Sequence, residues 1–156
     1  MRKMFIDWLF DKMAQDPDVV LVTADLGFGL LDRIRETYPD RFWNVGAAEQ
    51  LLLGVGVGLS LEGKKPVLYS ITSFVLYRPY EWIRNYLGKE KIPCMLVGSG
   101  LGNDYSHDGF SHWSFDYEDI CNLVNIDCIL PTKDNIASSL DDALNSNSPC
   151  FVGLRR

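Results

Sequence analysis

The chain has 156 residues, 47% hydrophobic and 23% charged, a balance that suits one soluble globular domain with a sizeable core. A net charge of -6 without any basic cluster argues against a nucleic-acid surface. Apolar runs stop well short of the ~20 residues of a membrane span, and the start, Met1-Arg2-Lys3-Met4-Phe5-Ile6-Asp7, meets an acid too early for a secretory leader.

Along the chain, Met4, Trp8, Leu9 and Met13 recur at helical spacing and predict a helix over 2–15. Apolar, β-branched runs at 19–23, 42–45, 67–71, 94–97, 126–130 and 150–152 read as strands, and helices are expected over 30–37, 48–61, 78–88, 116–123 and 134–145. The strand segments are continuous rather than alternating in hydrophobicity, as expected of strands covered on both faces. Strand–helix alternation of this kind predicts a three-layer α/β sandwich with a mostly parallel six-stranded sheet, a single domain over 1–156. Cys94, Cys121, Cys128 and Cys150 form no CxxC pair and sit mostly in apolar runs, which fits buried reduced thiols in a cytoplasmic protein.

Ligands of open α/β sheets bind beyond the carboxyl ends of the strands. The segments there are Ala24–Gly29, Gly46–Gln50, Thr72–Tyr80 and Gly98–His112, which hold both histidines together with several carboxylates and aromatics. Two motifs fail as phosphate sites. Gly58-Leu59-Ser60-Leu61-Glu62-Gly63-Lys64-Lys65 lacks the hydroxyl residue of a P-loop and runs from helix to strand, the reverse of that cradle. Gly54-Val55-Gly56-Val57-Gly58 departs from the dinucleotide fingerprint and fits a helix packed closely on the sheet. His107 and His112 flank Asp108 without a third clustered His or Cys, so no metal site is expected, and binding or proton transfer to a polar substrate suits them better. Glu49 opens a helix between Gly46-Ala47-Ala48 and Leu51-Leu52-Leu53. Such a setting disfavours a charged carboxylate, although on composition alone a first-turn acid complementing the helix dipole is the more ordinary reading.

The stretch Tyr38-Pro39-Asp40-Arg41-Phe42-Trp43-Asn44-Val45-Gly46-Ala47-Ala48-Glu49-Gln50 resembles the signature of the pyrimidine-binding domain of transketolases and 1-deoxyxylulose-5-phosphate synthases. Val22–Gly27 is similar to that domain's opening strand and acidic turn, and Gly63–Val67, Thr72-Ser73-Phe74, Asp108-Gly109-Phe110-Ser111-His112 and Ser148–Val152 to its later parts in the same order, so the likeness spans the chain. The resemblance implies thiamine diphosphate as cofactor. It puts Glu49 on the aminopyrimidine ring nitrogen, where its proton favours the imino tautomer that removes the thiazolium proton. It puts Phe74 against the pyrimidine ring, with Tyr77 and Tyr80 completing the wall, and Asp25 near the cofactor at a partner interface. Asp108, His107 and His112 fall on the substrate side, and His112 joins Glu49 as a catalytic candidate.

Phe110 stands where the family usually has Pro or a polar residue, Ser111 replaces Thr, and Gly100 stands near a usual phosphate-binding histidine. These departures leave the keto sugar or aldehyde substrate open. The family's diphosphate-binding domain, with its Gly-Asp-Gly…Asn motif, and its C-terminal domain have no counterpart here. The expectation is therefore a pyrimidine-domain subunit of a split transketolase-like transferase, moving a two-carbon ketol unit. It would act only with a diphosphate-binding partner chain that holds Mg2+, as two of each, through an apolar interface to which Trp43, Trp82 or Trp113 would belong. A two-chain 2-oxo acid decarboxylase and a non-catalytic scaffold remain the alternatives.

Overall fold

The computed structural model describes residues 1–156. Its strands are β1 (Val19–Thr23), β2 (Phe42–Asn44), β3 (Lys65–Ile71), β4 (Met95–Ser99), β5 (Asp127–Ile129) and β6 (Cys150–Leu154). They form one sheet in the order β2-β1-β3-β4-β6-β5, with every pairing parallel. The helices are α1 (Arg2–Gln15), α2 (Asp32–Thr37), α3 (Glu49–Leu61), α4 (Thr72–Tyr77), α5 (Tyr80–Trp82, running into a π-helical stretch over Ile83–Lys89), α6 (Tyr117–Val124) and α7 (Ile136–Asn145). None is long and apolar enough to cross a membrane.

Side chains on a strand alternate between the two faces, and here both faces are cores. Val19, Leu21, Val67, Tyr69, Met95, Val97 and Val152 point to one layer, made by α1, α2 and α7. Val22, Leu68, Leu96 and Phe151 point to the other, made by α3 to α6. Burial on both sides is why the strands read as unbroken apolar runs, and it accounts for the three layers. The small residues of α3 serve close packing: a Cβ on Gly56 would lie 2.5 Å from Leu68 Cδ1.

Two segments depart from the sequence reading. Residues 72–77, expected within the loop after the third strand, form α4, and the helix expected over 78–88 starts only at Tyr80, beyond Pro79, and continues with π geometry from Ile83. Pro79 has no N–H to donate into a continuing ladder, so α4 stops before it and α5 starts after it.

The strand order carries the functional consequence. From β1 the chain moves outward to β2, then returns to place β3 on the other side of β1. Loops leaving β1 and β3 therefore diverge to opposite faces and open a crevice at the carboxyl edge, the switch point where α/β sheets bind ligands.

Candidate active site

The crevice holds a cavity of about 270 Å3 lined by Ala24, Asp25, Leu26, Ala47, Glu49, Ser70, Ile71, Phe74, Arg78 and His112. Its first wall comes from the loops after β1 and β2. Asn44 at the end of β2 ties them together, its Oδ1 accepting from the backbone N–H groups of Asp25 and Gly46, both at 3.0 Å. Asp25 takes a left-handed φ of +47°, which Asp tolerates better than most residues, and Gly46 takes +72°. These turns bring the exposed Asp25 to the cavity rim and aim the chain into α3.

Glu49, the first residue of α3, is only 3% exposed. Apolar neighbours in sequence do not isolate it. One terminal nitrogen of Arg78 donates to both carboxylate oxygens, at 2.8 and 2.9 Å. A buried carboxylate is tolerated when paired and hydrogen-bonded, and the positive end of the 13-residue α3 adds to that support.

The opposite wall is α4. Ser73 Oγ donates to the Ser111 carbonyl at 2.9 Å, and Tyr77 donates to the Asp116 carboxylate. These two bonds moor the 106–116 loop to α4. Burial, followed by the bond to Asp116, raises the Tyr77 phenol above its ordinary range. One turn of helix separates Phe74 from Arg78, so they share a face. The Arg78 guanidinium carbon lies 3.6 Å from the centre of the Phe74 ring. His112 tilts against the same ring at 4.8 Å, with Ser111 Oγ 3.1 Å from its Nδ1. On the floor, Ser70 is 1% exposed and its hydroxyl has no hydrogen-bond partner.

Of the sequence candidates, Asp25, Glu49, Phe74 and His112 meet around the cavity. Tyr77 is engaged with Asp116, and Tyr80 packs on the α3–α6 core. His107 and Asp108 lie exposed on a turn, Ser106–Asp108, away from the lining. Trp43 and Trp113 are exposed, whereas Trp82 packs over Gly54 and Tyr86. Sequence reading missed Arg78. The signal was its spacing of four from Phe74, visible only once 72–77 is taken as helix. A second cavity, of about 250 Å3, lies at the opposite sheet edge beside Lys64 and Lys65, which are paired with Asp18 and Asp16.

Comparison with known proteins agrees with this fold. The family model described as transketolase, pyrimidine binding domain, matches residues 1–156. The 1-deoxy-D-xylulose-5-phosphate synthase of Aromatoleum aromaticum is 31% identical over 153 residues, which is 96% of this chain and 24% of that protein. An uncharacterized 33.6 kDa protein of the fasciation locus of Rhodococcoides fascians is 36% identical over 99 residues, 64% of this chain and 32% of that one. A split-gene transketolase, solved as an inactive β4 tetramer, superposes with a TM-score of 0.84 at 25% identity, covering 99% of this chain and 50% of its own. The chain thus spans a quarter to a third of these two curated relatives. A match along the full length, with Glu49 and Phe74 facing one crevice at the switch point, makes this chain a member of the transketolase pyrimidine-binding-domain family.

Proposed function

We propose that the chain is the pyrimidine-binding subunit of a split, transketolase-like enzyme that transfers a two-carbon ketol unit and is active only with a diphosphate-binding partner chain. The observation that carries this reading is Glu49, a buried acid at the start of α3 facing a cavity with a flat aromatic wall. The family implies thiamine diphosphate, and the residues present suit its aminopyrimidine. Phe74 offers a ring face, Glu49 a carboxylate for a ring nitrogen, and Ser70 an unpartnered buried hydroxyl awaiting a polar ligand.

When bound, thiamine diphosphate supplies the carbanion chemistry, and the chain supplies orientation and electrostatics. Glu49 would hold a proton at the aminopyrimidine nitrogen, a role worth ~10²–10⁴ in rate for a positioned acid or base. Phe74 would pack on the ring, and Asp25 would stand near the cofactor at the partner interface. His112, held through Ser111 and Ser73, would face the substrate, while His107 and Asp108, on the outer turn, would meet only parts of a substrate that extend beyond the cavity. Tyr77 and Tyr80 would back the aromatic wall. On this reading the diphosphate and Mg2+ would be held by the partner chain.

Two findings support a partner. One is the likeness to a split-gene transketolase. The other is a set of exposed aromatics, Phe28 (79%), Phe110 (84%) and Phe115 (69%), on loops at the cavity end of the sheet. Large apolar groups left in water at the end of the sheet that carries the cavity suit a surface that a partner covers.

The test is co-purification of the partner from native extract, followed by reconstitution with thiamine diphosphate and Mg2+. Glu49→Gln should assemble normally and lose most turnover, and an unchanged rate would refute the assigned role. Carbon dioxide released from a 2-oxo acid without an aldehyde acceptor would replace the transferase reading with the decarboxylase one. A reconstituted complex that binds no thiamine diphosphate would leave only a scaffold.

A further inference from the structure

Arg78 makes two contacts that a flat heterocycle would need. Its guanidinium lies 3.6 Å over Phe74, and one of its nitrogens donates to both oxygens of Glu49. A guanidinium is planar, with N–H donors around its edge, so it can stack on a ring and serve a carboxylate at the same time. An aminopyrimidine bound by Glu49 and Phe74 makes the same two demands in the same cavity. Glu49 is 3% exposed, so its carboxylate is reached from the cavity rather than from bulk water, and His112 also packs on the Phe74 ring, at 4.8 Å. A ring stacked on the same face of Phe74 and bonded to the same carboxylate edge would meet Arg78 at both contacts.

Resting on the cofactor reading above, we propose that Arg78 occupies the aminopyrimidine subsite of the cofactor-free chain, and that binding requires its displacement. The side chains suit an exchange. Arg78 is 44% exposed and can swing into water by rotating its own side chain, whereas Glu49 is held inside. While the site is empty, Arg78 keeps a buried carboxylate paired, which an apolar cavity would otherwise penalise. In exchange, the affinity for the incoming ring is reduced by the fraction of molecules in which Arg78 is in place. Arg78 is then a positioning residue of the empty site and a competitor for the filled one.

The experiment titrates 4-amino-2-methylpyrimidine into the wild-type chain, Arg78→Ala and Arg78→Lys by calorimetry. Arg78→Ala should bind about tenfold tighter, equivalent to ~1.4 kcal/mol. Lysine reaches the carboxylate as a point charge but cannot lie flat on Phe74, so Arg78→Lys should fall between. Methylguanidinium at millimolar concentration should raise the melting temperature of Arg78→Ala, compete with the pyrimidine there, and do neither in the wild type. Equal or weaker binding by both variants would overturn displacement while leaving the cofactor reading intact. Absence of binding in all three proteins would sink both.

Discussion

Removing Arg78 and neutralising Glu49 break the same ion pair, yet the first should cost at least about twice the second. Deleting one partner of a fully buried pair costs about 3–5 kcal/mol, because a charge is left without compensation. Here the pair is lopsided: the Arg78 side chain is 44% exposed and that of Glu49 3%. Water can replace part of the lost guanidinium at its outer end but scarcely reaches the carboxylate, so Arg78→Ala should cost ~2 kcal/mol. At 2–4 °C per kcal/mol for a domain of this size, the melting temperature should fall by about 4–8 °C. Glu49→Gln leaves no buried charge, keeps an oxygen acceptor for Arg78, and frees a guanidinium that is already half in water. Its cost should be below ~1 kcal/mol. Thermal unfolding followed by far-UV circular dichroism at neutral pH measures both. Arg78→Ala melting within ~1 °C of wild type, or Glu49→Gln losing more than Arg78→Ala, would refute the argument that the buried acid depends on this arginine.

Other expectations follow from neighbouring contacts. A Cβ on Gly98 would stand 2.4 Å from Thr72 Oγ1 and 2.7 Å from Phe151 Cε2, so Gly98→Ala should cost ~1–3 kcal/mol. Since Thr72 begins α4, the same change should weaken aminopyrimidine binding; a stable variant with normal binding would refute the link. Ser73→Ala removes the bond to Ser111 and should quicken amide exchange across 106–115 about fivefold, the equivalent of ~1 kcal/mol. Unchanged exchange would show that the loop is held otherwise. Hydrogen bonds from Lys65 and from Lys12 hold the Asp16 and Asp141 carboxyls below their ordinary range. A depressed folded value means stability that is present above pH ~4 and is lost as pH falls through that value. The melting temperature should therefore drop below pH ~4, less steeply in Asp16→Asn/Asp141→Asn. A double variant with the wild-type acid slope would exclude these groups as the cause.

The six strands were legible because burial on both faces leaves continuous apolar runs, and their ends agree with the structure to within about two residues. Glu49 and Phe74 were legible through motif resemblance, and the expected loops converge on one cavity. Helix α4 was not legible. Six residues directly after an apolar strand are too few to show a 3.6-residue period, and Thr72-Ser73-Phe74 reads as a turn. Missing α4 hid Arg78, since the spacing of four to Phe74 has no meaning in a turn. The surroundings of Glu49 were misjudged for a related reason. Its neighbours in sequence are small or apolar, but the group that pairs with it lies 29 residues away.

What the sequence determined by itself is the local grammar: strands buried on both faces, a helix or helical turns between successive strands, and polar loops at the carboxyl ends. Parallel pairing follows, because each strand is reached again through a helical crossover. Tertiary structure alone decided that β1 lies between β2 and β3, so that the loops after all three share one crevice. It also decided that Arg78, at the end of α4, reaches across that crevice to a buried acid on α3. Hydrophobic period and turn chemistry are properties of a few consecutive residues, whereas the order of strands and the partner of a buried charge depend on how distant segments pack together.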